Sequence, residues 1–248
     1  MPRALTSSLY ARMVEQFRVR VEHRSISGLL HLPRQAPAPC VITAHGLFSS
    51  KDSDKFVSIA DYFTARGLAV IRFDFGGCGE SDGTISDTTV SRRLKELEAV
   101  VAFARQHPLL SQQLGLLGSS LGGYVSLLYA AQDQNIIALS VWSTPYNLFA
   151  LRESIPAHEL HQLKNDFFVD AAQHHLQSVL SDLATVQIIH GKNDTVVPPS
   201  HAAEIFSRVS EPKELRIIPA GDHSLTGPAD RTKALELSAR WFQIHLQS

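Results

Sequence analysis

In the run Gly118-Ser119-Ser120-Leu121-Gly122-Gly123 a serine stands two residues from a glycine on either side. An apolar stretch, 114–117, precedes this G-x-S-x-G and a helical stretch, 124–131, follows it, so Ser120 falls on a strand-to-helix turn. Such a turn crowds the backbone, which small flanking residues tolerate, and lifts the hydroxyl clear of the sheet. The helix that starts there adds its positive dipole end. A serine hydroxyl is a poor nucleophile at neutral pH. It needs a base within hydrogen-bond reach, and the base needs a carboxylate to fix its tautomer and stabilise its cation.

The sequence offers one clear candidate for each role. Asp194, in His190-Gly191-Lys192-Asn193-Asp194, follows the apolar run 186–189, and His223, in Gly221-Asp222-His223, follows 215–218. Both fall at expected carboxyl ends of strands, where open parallel sheets bind ligands. The three residues then converge in the chain order serine, acid, histidine. Ser120 is the candidate nucleophile, His223 the general base and Asp194 its orienting carboxylate, with Asp182 and Asp222 as alternative acids. Acyl transfer also needs backbone donors for a developing oxyanion. His45-Gly46-Leu47-Phe48, after the strand 40–44, is placed to give the Leu47 N–H beside that of Leu121.

Other residues invite chemistry but read better as structure. His45 reads as a satisfied turn histidine, the glycine-rich 76–83 as a tight loop shaping the site floor, and Cys78 within it as packing. His158-Glu159-Leu160-His161 and His174-His175 lack the i, i+4 spacing of H-E-x-x-H, so no metal is expected.

The elements that must position these groups follow from hydrophobic period. Residues 16–32 alternate (Phe17, Val19, Val21, then Ile26, Leu30, Leu32 after a polar break at 23–25), which predicts an antiparallel hairpin at a sheet edge. Short apolar runs at 40–44, 68–73, 114–117, 136–141, 186–190 and 215–218 then alternate with helical candidates at 54–66, 87–106, 121–132, 200–208 and 229–246. That order predicts an α/β fold whose mostly parallel central sheet carries helices on both faces. In 87–106, Leu94, Leu97, Val101 and Ala104 form the apolar stripe, and Arg93, Glu96 and Arg105 fall outside it. The longer segment 145–184 reads as a short helical cap over the strand ends, in which Phe149, Leu151, Phe167 and Phe168 line an acyl pocket or pack the cap on the core.

Composition narrows the function. The chain has 248 residues, 44% of them hydrophobic and 19% charged, with a formal net charge of −1, which excludes both disorder and the basic excess of a nucleic-acid binder. One domain, 1–248, is expected. No apolar run is long enough to span a bilayer, and the N-terminus lacks the apolar core of a secretory signal, so the expected location is cytoplasmic, without membrane partners. Two cysteines, Cys40 and Cys78, are too few for a disulfide framework or a zinc site. The expected partner is a small ester substrate, and the expected state a monomer or homodimer.

From 16 to 246 the chain resembles the α/β-hydrolases and is similar to the small bacterial carboxylesterases that include cinnamoyl and feruloyl esterases. The resemblance rests on His45-Gly46-Leu47, the run from Phe73 to Gly83 (Phe-Asp-Phe-Gly-Gly-Cys-Gly-Glu-Ser-Asp-Gly), Gly118 to Gly123, His190 to Asp194 and Gly221 to His223. It implies an acyl-enzyme on Ser120, no cofactor and a pocket between core and cap. Ser119, Leu121 and Leu47 stand where that esterase group often has histidine, glutamine and an aromatic residue, so the resemblance does not carry feruloyl or cinnamoyl substrates over. Carboxylic esters are the expected substrates. Thioesters and amides or peptides are alternatives on the same triad, and a non-catalytic ligand-binding module is the alternative of another class.

Overall fold

The computed structural model describes residues 13–148 and 160–246. The alternating N-terminal segment pairs as an antiparallel hairpin of β1 (Met13–Val21) and β2 (Arg24–Leu32). Its turn is Glu22-His23, earlier than the polar break suggests. Glu22 takes the positive φ (56°) that two-residue hairpin turns demand, which leaves Arg24 and Ser25 free to pair with Val21 and Arg20.

Six further strands follow: β3 (Ala38–Ala44), β4 (Ala69–Phe73), β5 (Leu110–Ser119), β6 (Ile136–Trp142), β7 (Val186–Gly191) and β8 (Lys213–Ile218). The order across the sheet is β1-β2-β4-β3-β5-β6-β7-β8. β2 meets β4 antiparallel, and every later pairing is parallel. β5 starts four residues before its apolar run. Leu110 pairs with Ala38 across an irregularity that Ser111, Gln112 and Gln113 occupy, and those polar residues hide the strand from a hydrophobic pattern.

The described residues form α1 (Asp54–Thr64), α2 (Val90–Gln106), α3 (Leu121–Gln132), α4 (Asn165–Ala171), α5 (Ser200–Arg208) and α6 (Pro228–Leu246). α2 begins at Val90 rather than 87 because the Thr89 side chain accepts the Arg92 N–H (3.1 Å) and closes the first turn. Two cores flank the sheet. Phe56, Ile59 and Phe63 of α1 and Leu235, Trp241 and Phe242 of α6 bury one face, while α2, α3, α4 and α5 bury the other. Within 145–184 the described residues supply α4 and the 3-10 turns Leu176–Ser178 and Leu180–Asp182, a helical segment as the sequence suggests. Phe149, Leu151, His158 and Glu159 lie outside the described residues.

Arg93 and Glu96, off the apolar stripe of α2, are nonetheless buried. They face the loops at the carboxyl ends of β3 and β4, where unpaired backbone groups supply polar partners. No helix among the described residues is long and apolar enough to cross a membrane.

Candidate active site

Ser120 sits between β5 and α3 with φ 54° and ψ −124°, a conformation rare for any residue with a side chain. Close packing forces it. A Cβ on Gly118 would come within 2.5 Å of the Gly122 carbonyl oxygen, and one on Gly122 would overlap the carbonyl oxygen of Ala44, so only glycine fits at either place. The Ser120 N–H is tied to the Trp142 carbonyl (2.9 Å), which anchors the turn to β6.

Asp194 and His223 come together from the loops after β7 and β8. His223 Nδ1 donates to Asp194 Oδ2 at 2.8 Å, and the carboxylate is shielded from solvent while the imidazole is part-exposed. Oδ1 accepts the Val196 and Val197 N–H groups (2.9 and 2.8 Å). A second histidine, His190, brings Nε2 to 3.2 Å from Oδ2 and to 2.8 Å from the Val197 carbonyl, so its Nε2 carries the proton. Burial alone would raise the Asp194 carboxyl. The hydrogen bonds from His190, His223 and the Val197 amide more than offset it and hold the group well below the usual carboxylate range. The alternative acids are engaged elsewhere: Asp222 accepts the Thr226 N–H (2.9 Å) and hydroxyl, and Asp182 the Ser181 hydroxyl (3.2 Å).

Ser120 and His223 line one cavity of about 490 Å³, within the usual range for small-molecule sites. Leu47 and Leu121 line it too, so all five residues picked from the sequence gather around this cavity, Asp194 through its bond to His223. The Leu121 N–H is the first of α3, a donor the helix itself cannot satisfy. The turn at 45–47 lies against the nucleophile, since a Cβ on Gly46 would sit 3.5 Å from Ser120 Cβ.

That turn is held by groups the sequence did not flag. Arg93 Nη1 donates to the His45 and Gly46 carbonyls and Nη2 to that of Leu47, each at 3.2 Å, while its guanidinium stacks 4.4 Å from the Phe75 ring centre. His45 is satisfied as expected: Nδ1 donates to Gly46 O (2.7 Å) and Nε2 accepts the Phe75 N–H (3.0 Å). Burial, with Arg93 nearby, pulls its pKa down to about 3, so it stays neutral. Below it the buried Asp74 carboxylate accepts Lys51 Nζ (3.0 Å), Lys51 N–H (2.7 Å) and Glu80 N–H (3.0 Å), which fixes the 76–83 loop. Cys78 is a buried free thiol whose pKa burial pushes up, and Cys40 is also free.

Lys55 was also missed. Its Nζ donates to Ser119 Oγ at 2.9 Å beside the cavity, and burial with the Arg231 guanidinium nearby brings its pKa down to about 8. Of the cap histidines, His174 meets Ser91 Oγ at 2.8 Å and Asp170 at 3.6 Å, which ties α4 to α2.

A family model described as Hydrolase_4 (serine aminopeptidase, S33) matches residues 35–182. The chain is 26% identical over 216 residues to the mitochondrial palmitoyl-protein thioesterase ABHD10 of Mus musculus, covering 77% of this chain and 71% of that protein. Among solved structures it is similar to ferulic acid-bound Est1E from Butyrivibrio proteoclasticus, with a TM-score of 0.83 and 20% identity over 94% of this chain and 100% of that one. Alpha/beta hydrolase domain-containing protein 10 from mouse gives a TM-score of 0.74 at 20% identity, covering 93% of this chain and 99% of the other. At such identities the structural likeness speaks for the fold.

Proposed function

As the chain belongs to the Hydrolase_4 family of α/β-hydrolases and is a hydrolase, we propose that it cleaves carboxylic esters through Ser120, His223 and Asp194. The observation that carries the reading is the 2.8 Å bond from His223 Nδ1 to the buried Asp194, on a histidine that shares its cavity with the strained Ser120. With Nδ1 committed to Asp194, Nε2 is left to take the Ser120 proton as Oγ attacks the ester carbonyl. The negative charge that forms on the carbonyl oxygen meets the Leu47 and Leu121 N–H groups. Collapse expels the alcohol, which takes the proton from His223. A water then repeats the sequence on the acyl-enzyme and releases the acid.

A thioester substrate is the second reading. It is favoured by the thioesterase name of the relative 26% identical to this chain, and by the apolar cavity wall of Leu47, Phe48, Leu148, Phe167 and Phe168, which suits an acyl chain. The test is steady-state turnover of one acyl series offered both as esters and as thioesters, on wild type and Ser120→Ala. Loss of activity by about a millionfold in the variant is expected, as for other serine nucleophiles. Turnover retained by folded Ser120→Ala defeats the proposal, and a uniform preference for the thioester in each pair selects the second reading.

A further inference from the structure

The cavity has two unlike walls. Phe167 and Phe168 belong to α4, whose packing is on the sheet face covered by α2 and α3. Lys55 and Arg231 come from α1 and α6, which cover the opposite face. Ser120 lies between, at the carboxyl end of β5.

Among the described residues neither cation has an ion pair. Among those residues Lys55 has one hydrogen bond, to Ser119 Oγ, which leaves two of its three donors. Arg231 Nε donates to the Leu225 carbonyl (3.1 Å) and Nη2 to that of Ser224 (3.5 Å), and Nη1 has no acceptor among the described residues. Three acidic residues lie near. Asp54, at the start of α1, lines the cavity without bonding either cation, Asp222 is engaged by Thr226, and Asp194 by His223 and His190. Two cations held at the edge of a reaction site, with unused donors and no carboxylate bound, match a planar anion in charge and in donor number.

We propose that Lys55 and Arg231 form an anion subsite, and that the substrate is an ester with an apolar half toward Phe167 and Phe168 and a carboxylate on its other half. The subsite rests on the reading of Ser120 as the ester-cleaving nucleophile. The carboxylate adds no step to the reaction. It positions the scissile carbonyl over Ser120 by binding at a distance from it.

The test compares kcat/KM within two matched pairs of esters. One pair is para-nitrophenyl hydrogen adipate against para-nitrophenyl hexanoate, which puts the charge on the acyl half. The other is para-hexanoyloxybenzoate against its methyl ester, which puts it on the leaving half. Each is measured on wild type, Lys55→Met, Lys55→Glu and Arg231→Gln, and the ratio within a pair cancels losses of folded enzyme. The expected result is a wild-type preference of at least about tenfold for the anion in one pair. That preference falls about tenfold in Lys55→Met and in Arg231→Gln, and reverses in Lys55→Glu. A wild type that hydrolyses the neutral member as well as the anion in both pairs overturns the subsite and leaves the esterase reading standing. So does a preference that the variants leave intact. Absence of ester turnover altogether removes the esterase reading, and the subsite with it.

Discussion

Replacing Arg93 by methionine isolates the device that holds the 45–47 turn. The guanidinium is fully buried and donates to three carbonyls at 3.2 Å and to Thr88 Oγ1 at 3.0 Å. Methionine keeps most of the stem's packing but offers no donor. The Gly46 carbonyl retains the His45 Nδ1 bond and the part-buried Leu47 carbonyl a weak one from the Cys78 thiol (3.9 Å), so the buried His45 carbonyl bears most of the loss. A buried acceptor stripped of its donor costs about 1–3 kcal/mol. At about 2–4 °C per kcal/mol for a chain of this size, Tm falls by roughly 2–12 °C. If Leu47 supplies an oxyanion donor as proposed, its displacement also lowers kcat by about a hundredfold to a thousandfold at temperatures where the variant is folded. Thermal unfolding by circular dichroism and ester turnover well below the transition read the two effects separately. Arg93→Lys keeps the charge but not the fork, and it should recover only part of either. Wild-type Tm and kcat in Arg93→Met would refute the reasoning; a lowered Tm with unchanged kcat would refute only the link from Arg93 to the oxyanion site.

Four further outcomes are expected. Asp194→Asn should lower kcat by about ten thousandfold, since the amide no longer selects the His223 tautomer or stabilises its cation. Because the folded pKa of Asp194 lies below its ordinary value of about 3.9, its stabilisation is complete above that value and is lost as pH falls through the folded one. The wild type's stability advantage in urea should therefore shrink below about pH 4, and a constant advantage would contradict it. Gly122→Ala must move either the carbonyls of Ala44 and His45 or the start of α3, so a soluble, folded variant should lose at least about tenfold in kcat, whereas full activity would mean the elbow is slack. The preference for anionic esters should decline as pH rises through about 8, where Lys55 loses its charge between Arg231 on α6, Asp54 on its own helix and Asp222 and Asp194 on the loops facing it. The guanidinium donors of Arg231 preserve a remainder, and a ratio that does not change across pH 8 would contradict the account.

The strand and helix order was legible because the chain repeats short aliphatic runs and amphipathic segments whose periods differ. Ser120 was legible as a candidate because the elbow restricts its neighbours to glycine, and Asp194 and His223 because each stands five residues past the end of an apolar run. The supports were hidden for a common reason. Arg93, Glu96, Lys51 and Asp74 are charged residues buried against loop backbone, and a pattern that assigns charge to the surface cannot find them. Glu96 accepts the Gly76 N–H at 3.0 Å, a contact set by where α2 crosses the β4 loop and not by spacing along α2. The role of His190 escaped notice because it closes the apolar run 186–190, and only the end of β7 beside Asp194 shows it as a partner of the carboxylate. Lys55 looks like an ordinary helix-surface lysine, and only the approach of α1 to Ser119 gives it a site.

The most direct measurement is labelling with a fluorophosphonate probe followed by peptide mapping. Label on Ser120, absent from Ser120→Ala and strongly slowed in His223→Ala, is the predicted result. Label on Ser119 or another residue, or folded protein that takes none, would contradict the assignment of the nucleophile.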